Sequence, residues 1–169
     1  MALRDVSVLD NCEGLLVAQI DRVCAVVWRD EVTASRFARQ CAGLASAVAK
    51  YPGETAFLCI VEAQVKPPPE DLRKASIALL REHEADLRCM AGVIEATGFM
   101  AALTRSVLSS MTVLAGRQRA PRAVFASVVD AARWVGGHAG LTPIELVRAL
   151  AALRAESPAA RLPVDPRAL

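Results

Sequence analysis

The chain has 169 residues and a mass of 18.0 kDa, with 54% hydrophobic and 22% charged residues, a mean hydropathy of +0.33 and a formal net charge of +2. Such a chain can bury the core of one compact domain, which excludes intrinsic disorder. Aromatics are 4%, and the positive excess sits in residues 117–169, with 8 basic and 4 acidic side chains. No dense basic face with stacking aromatics points to nucleic acid.

Nothing in the sequence reaches the roughly 20 apolar residues that span a bilayer. The best stretch, Phe99 to Gly116, is broken by Thr104, Arg105, Ser106, Ser109 and Ser110. Asp5 and Asp10 interrupt the apolar core that a signal peptide needs, so a cytoplasmic protein without membrane insertion is expected. Residues 1–13 read as an N-terminal segment outside the domain.

Gly14 to Ile20 and Val23 to Trp28 are apolar, β-branched runs around Asp21-Arg22, a strand pair with 14–20 at the sheet edge. Thr33 reads as an N-cap, and Phe37, Cys41, Leu44 and Val48 form one stripe of a helix that Tyr51-Pro52-Gly53 stops. Thr55 to Val65 is a strand whose centre, Phe57 to Val61, is apolar without alternation, as in a strand covered on both faces. Pro67, Pro68 and Pro69 delay the next helix. Glu70 and Asp71 then lie in its first turn, where the helix dipole favours them, and Glu70–Lys74 is an i,i+4 pair. Leu72, Ser76, Leu79, Leu80, His83 and Leu87 share one face.

Arg88 to Ala96 is a further strand, and from Phe99 a helical period returns through Leu103, Val107, Met111 and Leu114 up to Gly116. Arg117, Arg119 and Arg122 read as a solvated turn. Ala123 to Ala126 is a short strand, and Ser127 with Asp130 is a capping box for a helix carrying Ala131, Trp134 and Val135. Gly136-Gly137-His138-Ala139-Gly140 reads as a flexible break. Thr142-Pro143-Ile144-Glu145 then opens a short helix with Leu146, Leu150 and Leu153, and residues 157–169 read as a flexible tail. The expected fold is α/β: a mixed, mainly parallel sheet of four or five strands over residues 14–137. A linker and amphipathic helix over 138–156 follow it.

This order resembles a STAS-like domain, the fold class of anti-sigma-factor antagonists and of the tails of sulphate transporters. The likeness rests on Val26-Val27-Trp28-Arg29-Asp30-Glu31-Val32-Thr33, the Phe57 to Val61 strand, Gly98-Phe99, and Val124-Phe125-Ala126-Ser127 through Ala131-Ala132-Arg133-Trp134. It implies a bacterial regulatory or scaffolding module that works through protein–protein contacts. The phosphorylated members carry Ser or Thr at the start of the helix after the central strand. Here that loop is Gln64-Val65-Lys66-Pro67-Pro68-Pro69-Glu70-Asp71, without a hydroxyl and already negative, so the family's phospho-switch is not expected.

Candidate chemistry is sparse. Cys12, Cys24, Cys41, Cys59 and Cys89 show no C-x-x-C pair and read as small buried hydrophobes. The Gly136 to Gly140 run follows a helix, so it is no phosphate loop. His83 reads as a helix residue between Glu82 and Glu84, and His138 as part of the break. No catalytic set, cofactor or metal is expected. Two kinds of site remain. Leu146, Leu150 and Leu153 form an apolar face that either docks back on the domain or meets a second copy or another protein partner; with Pro68, Glu70 and Asp71 they are candidates for contact, so that Leu150→Glu should alter assembly more than folding. Glu62, Glu95 and Phe99 mark a candidate pocket at the strand carboxyl ends for a small apolar or lipid ligand, where open α/β sheets bind.

Overall fold

Among the residues described by the computed structural model (5–98, 101–102, 105–106 and 120–156), six strands lie across one sheet in chain order. They are β1 (Val6–Cys12), β2 (Leu15–Ile20), β3 (Val23–Trp28), β4 (Thr55–Val61), β5 (Leu87–Ile94) and β6 (Arg122–Phe125). The pairs β1–β2 and β2–β3 are antiparallel, and β3 to β6 run parallel. The fold is therefore α/β with a mixed sheet, but of six strands rather than four or five.

The additional strand is β1, inside the segment 1–13 that the sequence placed outside the domain. It makes 14–20 an interior strand, so the edge expected there is instead β1. Every residue of β2 and β3 is buried. Their two-residue turn puts Asp21 at φ 47°, a left-handed conformation that Asp tolerates. Asp21 also anchors β1: its backbone N–H donates to the Asp5 carbonyl (2.7 Å), and its carboxylate accepts from the Asp5 N–H (2.9 Å).

Helices α1 (Ala34–Lys50) and α2 (Glu70–Glu82) are the crossovers into β4 and β5. Right-handed crossovers that advance in one direction place both helices on the same face. That face joins Phe37, Leu44 and Ala47 of α1 and Leu72 and Leu79 of α2 to Val17, Val26, Trp28, Phe57 and Met90 of the sheet. Thr33 caps α1, its Oγ1 accepting from the Arg36 N–H. Pro69 is the N-cap of α2 rather than its first helical residue.

The other face is covered by α3 (Val128–Ala139) and α4 (Pro143–Ala155). Ser127 caps α3 by accepting from the Asp130 N–H, as its capping box predicts. Thr142 makes no side-chain cap bond at α4, where Pro143 opens the helix.

Two expectations about this region are corrected. Gly136, Gly137 and His138 are helical, and α3 ends only at Gly140, whose φ of 69° suits a residue without Cβ. A Cβ on Gly136 would lie 2.7 Å from the Leu141 carbonyl oxygen, so glycine lets the chain fold back tightly there. His138 packs edge-on against Trp134 at 4.4 Å. Residues 138–156 are thus no linker and appended helix: Leu146, Leu150 and Leu153 are 0%, 2% and 4% exposed in the core of this face. Burial of each is worth about 1.5–3 kcal/mol, which together rivals the net stability of a whole domain.

The remaining residues of the helical stripe from Phe99 (Leu103, Val107, Met111, Leu114), with Arg117, Arg119 and the tail 157–169, lie outside the described residues. Arg122 is no solvated turn residue: its side chain is 3% exposed, on β6, and pairs with Glu84 at 3.5 Å. No helix among the described residues is long and apolar enough to cross a membrane.

Candidate functional site

Side-chain alternation at the carboxyl ends of the parallel strands sends chemically different groups to the two faces. On the α3–α4 face, Glu62 and Glu95 follow the last paired residues Val61 and Ile94, and the Glu95 N–H donates to the Val61 carbonyl. The two carboxylates therefore share one rim, as expected from the strand ends. Arg154 from the end of α4 reaches between them. Its Nη1 and Nη2 donate to Oε1 and Oε2 of Glu95 (both 2.8 Å), and Nη2 also donates to Oε1 of Glu62 (2.9 Å). These bonds, those to Glu95 first, hold the guanidinium above its ordinary pKa. Among the described residues the carboxylates serve as an anchor for α4. Phe99, the third residue of the proposed pocket, lies outside the described residues.

The apolar cavity lies on the opposite face, between the sheet, α1 and α2. It has a volume of about 130 Å³, and its walls include Trp28, Phe37, Phe57, Leu79 and Leu80. Its size is close to the roughly 150 Å³ of an engineered apolar cavity that admits benzene. Lys66, Pro67 and Pro68 form one side, and Val32 with these three also borders a more open hollow of about 440 Å³ that includes Asp30, Glu31 and Gln64. The cavity thus adjoins solvent along the proline loop, where Arg36 already pairs with Asp30 and donates to the Glu31 carbonyl.

Gln40 is the polar residue that the helical stripe missed. It is 6% exposed, lies three residues after Phe37 on the inner face of α1, and borders the cavity. Its Oε1 accepts from the Trp28 indole N–H at 2.9 Å. A glutamine inside the 37–44–48 stripe was the available signal. Cys41, assigned to that stripe, is only half-buried.

Ser76, also at the cavity, is turned inward on its own helix, its hydroxyl donating to the Leu72 carbonyl at 2.8 Å. Cys59 edges the cavity, and burial pushes its thiol up to about 12; Cys24 behind it is likewise raised to about 12, chiefly by burial and then by Cys59. At neutral pH these thiols stay protonated and unreactive.

The other contact candidates divide. Pro68 lines the cavity, whereas Glu70 and Asp71 are exposed in the first turn of α2, with Glu70 paired to Lys74 at 2.7 Å. Leu146, Leu150 and Leu153 are withdrawn as a surface by their burial. The exposed large hydrophobics include Val6, Val8 and Leu9 of β1, 46%, 41% and 38% accessible, and none of these was singled out in the sequence.

Neither a protein-family model, nor a curated protein, nor a solved structure matches the chain.

Proposed function

We propose that the chain is a non-enzymatic, STAS-like binding module whose site is the apolar cavity at the carboxyl ends of β3 and β4, a small-molecule site on the α1–α2 face. The observation that carries this reading is a preformed cavity of about 130 Å³ that does not collapse. Trp28 is pinned by its hydrogen bond to Gln40, and three successive prolines, Pro67 to Pro69, stiffen the mouth. Apolar ligands enter such sites with a few polar groups to orient them. The element order from strand pair to final helix supports the STAS-like assignment, and a cytoplasmic regulatory role is consistent with it.

The test uses Trp28 as reporter in a Trp134→Phe background, Trp28 and Trp134 being the chain's 2 tryptophans. Titration with small apolar molecules should change its emission saturably and raise the melting temperature. Ser76→Leu, which fills the cavity, should abolish both effects. No response to any apolar series would overturn the cavity as a site.

A second reading, contact with a protein partner or a second copy, is favoured by one observation. Strand β1 is an edge of the sheet and exposes Val6, Val8 and Leu9 there. Exposed apolar edge strands pair readily with other chains. Light scattering should then give an oligomer that Val8→Lys dissociates into folded monomer; a monomer at all concentrations, with no partner captured by β1, would sink it.

A further inference from the structure

Gln40 is more than nine-tenths buried and reaches the cavity with a half-used side chain. Its Oε1 is taken by the Trp28 N–H, which fixes the amide orientation and leaves Nε2 with two donors. Among the described residues nothing accepts from Nε2. Among the described residues the only charged one bordering the cavity is Lys66, which is exposed in the proline loop. A neutral donor that opens into apolar walls favours a neutral acceptor, since a carboxylate held there would keep its charge out of water.

We infer that the cavity takes a small neutral carbonyl compound, such as a compact ketone, ester or lactone, with its apolar body among Phe37, Phe57 and Leu79 and its carbonyl oxygen accepting from Gln40 Nε2. This rests on the cavity being a ligand site and adds the chemical class of the occupant. The protonated Cys59 thiol beside it offers no thiolate to the carbonyl carbon, so the ligand is held without covalent reaction.

The test compares three probes of one ring size, cyclohexanone, methylenecyclohexane and cyclohexanecarboxylate, by ligand-observed NMR titration of the intact protein. Cyclohexanone should bind about five- to tenfold more tightly than the isosteric hydrocarbon, the usual worth of one hydrogen bond. Gln40→Met alone would strand the Trp28 N–H, so the informative variant is Trp28→Phe with Gln40→Met, which removes both partners of that bond and should reverse the preference in favour of the hydrocarbon, the ketone oxygen then having no donor in an apolar cavity. Lys66→Met should leave the native preference unchanged. Equal affinities for ketone and hydrocarbon in the native protein would overturn the Gln40 assignment while the cavity stands. Tightest binding of the carboxylate, lost in Lys66→Met, would replace the neutral class by an acid. Binding of none of the three would remove the cavity reading itself, and this inference with it.

Discussion

The two faces of the sheet are built from alternate residues of the same strands, yet they are filled by different means. Under α3 and α4 the sheet presents Ala18, Ala25, Ala56, Cys89 and Ala91 between the larger Leu16, Ile20, Leu58 and Ile60, and α3 answers with Ala131, Ala132, Gly136 and Ala139. Small groups on both sides let the backbones approach closely, and the leucines of α4 complete the layer. Under α1 and α2 the sheet presents Trp28, Phe57 and Met90 against Phe37, Leu72 and Leu79. Rigid rings cannot fill an irregular space, and one of them is fixed by Gln40, so a void remains. One face is filled, and the other keeps a cavity of about 130 Å³.

That contrast can be broken first at Leu150. Leu150→Ala should cost about 2–5 kcal/mol in urea denaturation, and Leu150→Glu, which adds a buried charge, should leave little folded protein. A folded Leu150→Glu protein with altered assembly would restore the helix as a contact surface. Gly136→Ala should follow, at about 1–3 kcal/mol, because the new methyl meets the Leu141 carbonyl; Gly137→Ala, with open space around its Cβ, should be neutral or stabilising.

Next comes pH. The Cys24 thiol is raised from 9.0 to about 12 in the fold, so above pH 9 the unfolded chain binds fewer protons than the native one. Stability from this group is full below pH 9 and should fall by about 1.4 kcal/mol per pH unit between 9 and 12. Cys24→Ala should remove its share of that slope while Cys59, raised to the same value, keeps its own; an unchanged slope would place the titration elsewhere. Arg154→Met should cost about 1 kcal/mol at low salt and less in 1 M salt, since the three side chains are 21–27% exposed and therefore screened. The smallest effect sharpens the comparison most. Ser76→Leu, directed into the void, should raise stability by about 0.5 kcal/mol, where an equal enlargement on the close-packed face would lower it.

Much of the fold was legible because its strands are buried on both sides. The runs 15–20, 23–28 and 55–61 are continuous and apolar, and the structure keeps them as strands. Strand β1 was not legible, since an edge strand needs only one covered side and Ser7, Asp10 and Asn11 dilute its apolar residues. The Gly136-Gly137 pair misled for a different reason. Glycine weakens a helix by propensity, but at Gly136 a tertiary contact with Leu141 requires it. The shared rim of Glu62 and Glu95 followed from strand ends alone. Their partner Arg154 lies 59 residues beyond Glu95 and depends on how α4 docks, which no local pattern reveals. The cavity is harder still, because its walls come from β3, α1, β4, the proline loop and α2.

The strand order has a consequence for how the molecule is made. Each strand pairs with the one synthesised just before it, so the sheet can be laid down progressively as the chain leaves the ribosome, no pairing spanning more than one crossover. Its alanine-rich side has no such neighbour-by-neighbour supply. Helix α3 covers β4, β5 and β6 on that side, but the rest stays bare until α4 arrives and reaches back to β2, more than a hundred residues upstream. A nascent chain halted at Gly137 would be a nearly finished sheet with an uncovered apolar surface. Synthesis of the last turns of α4, up to Arg154, closes this apolar face.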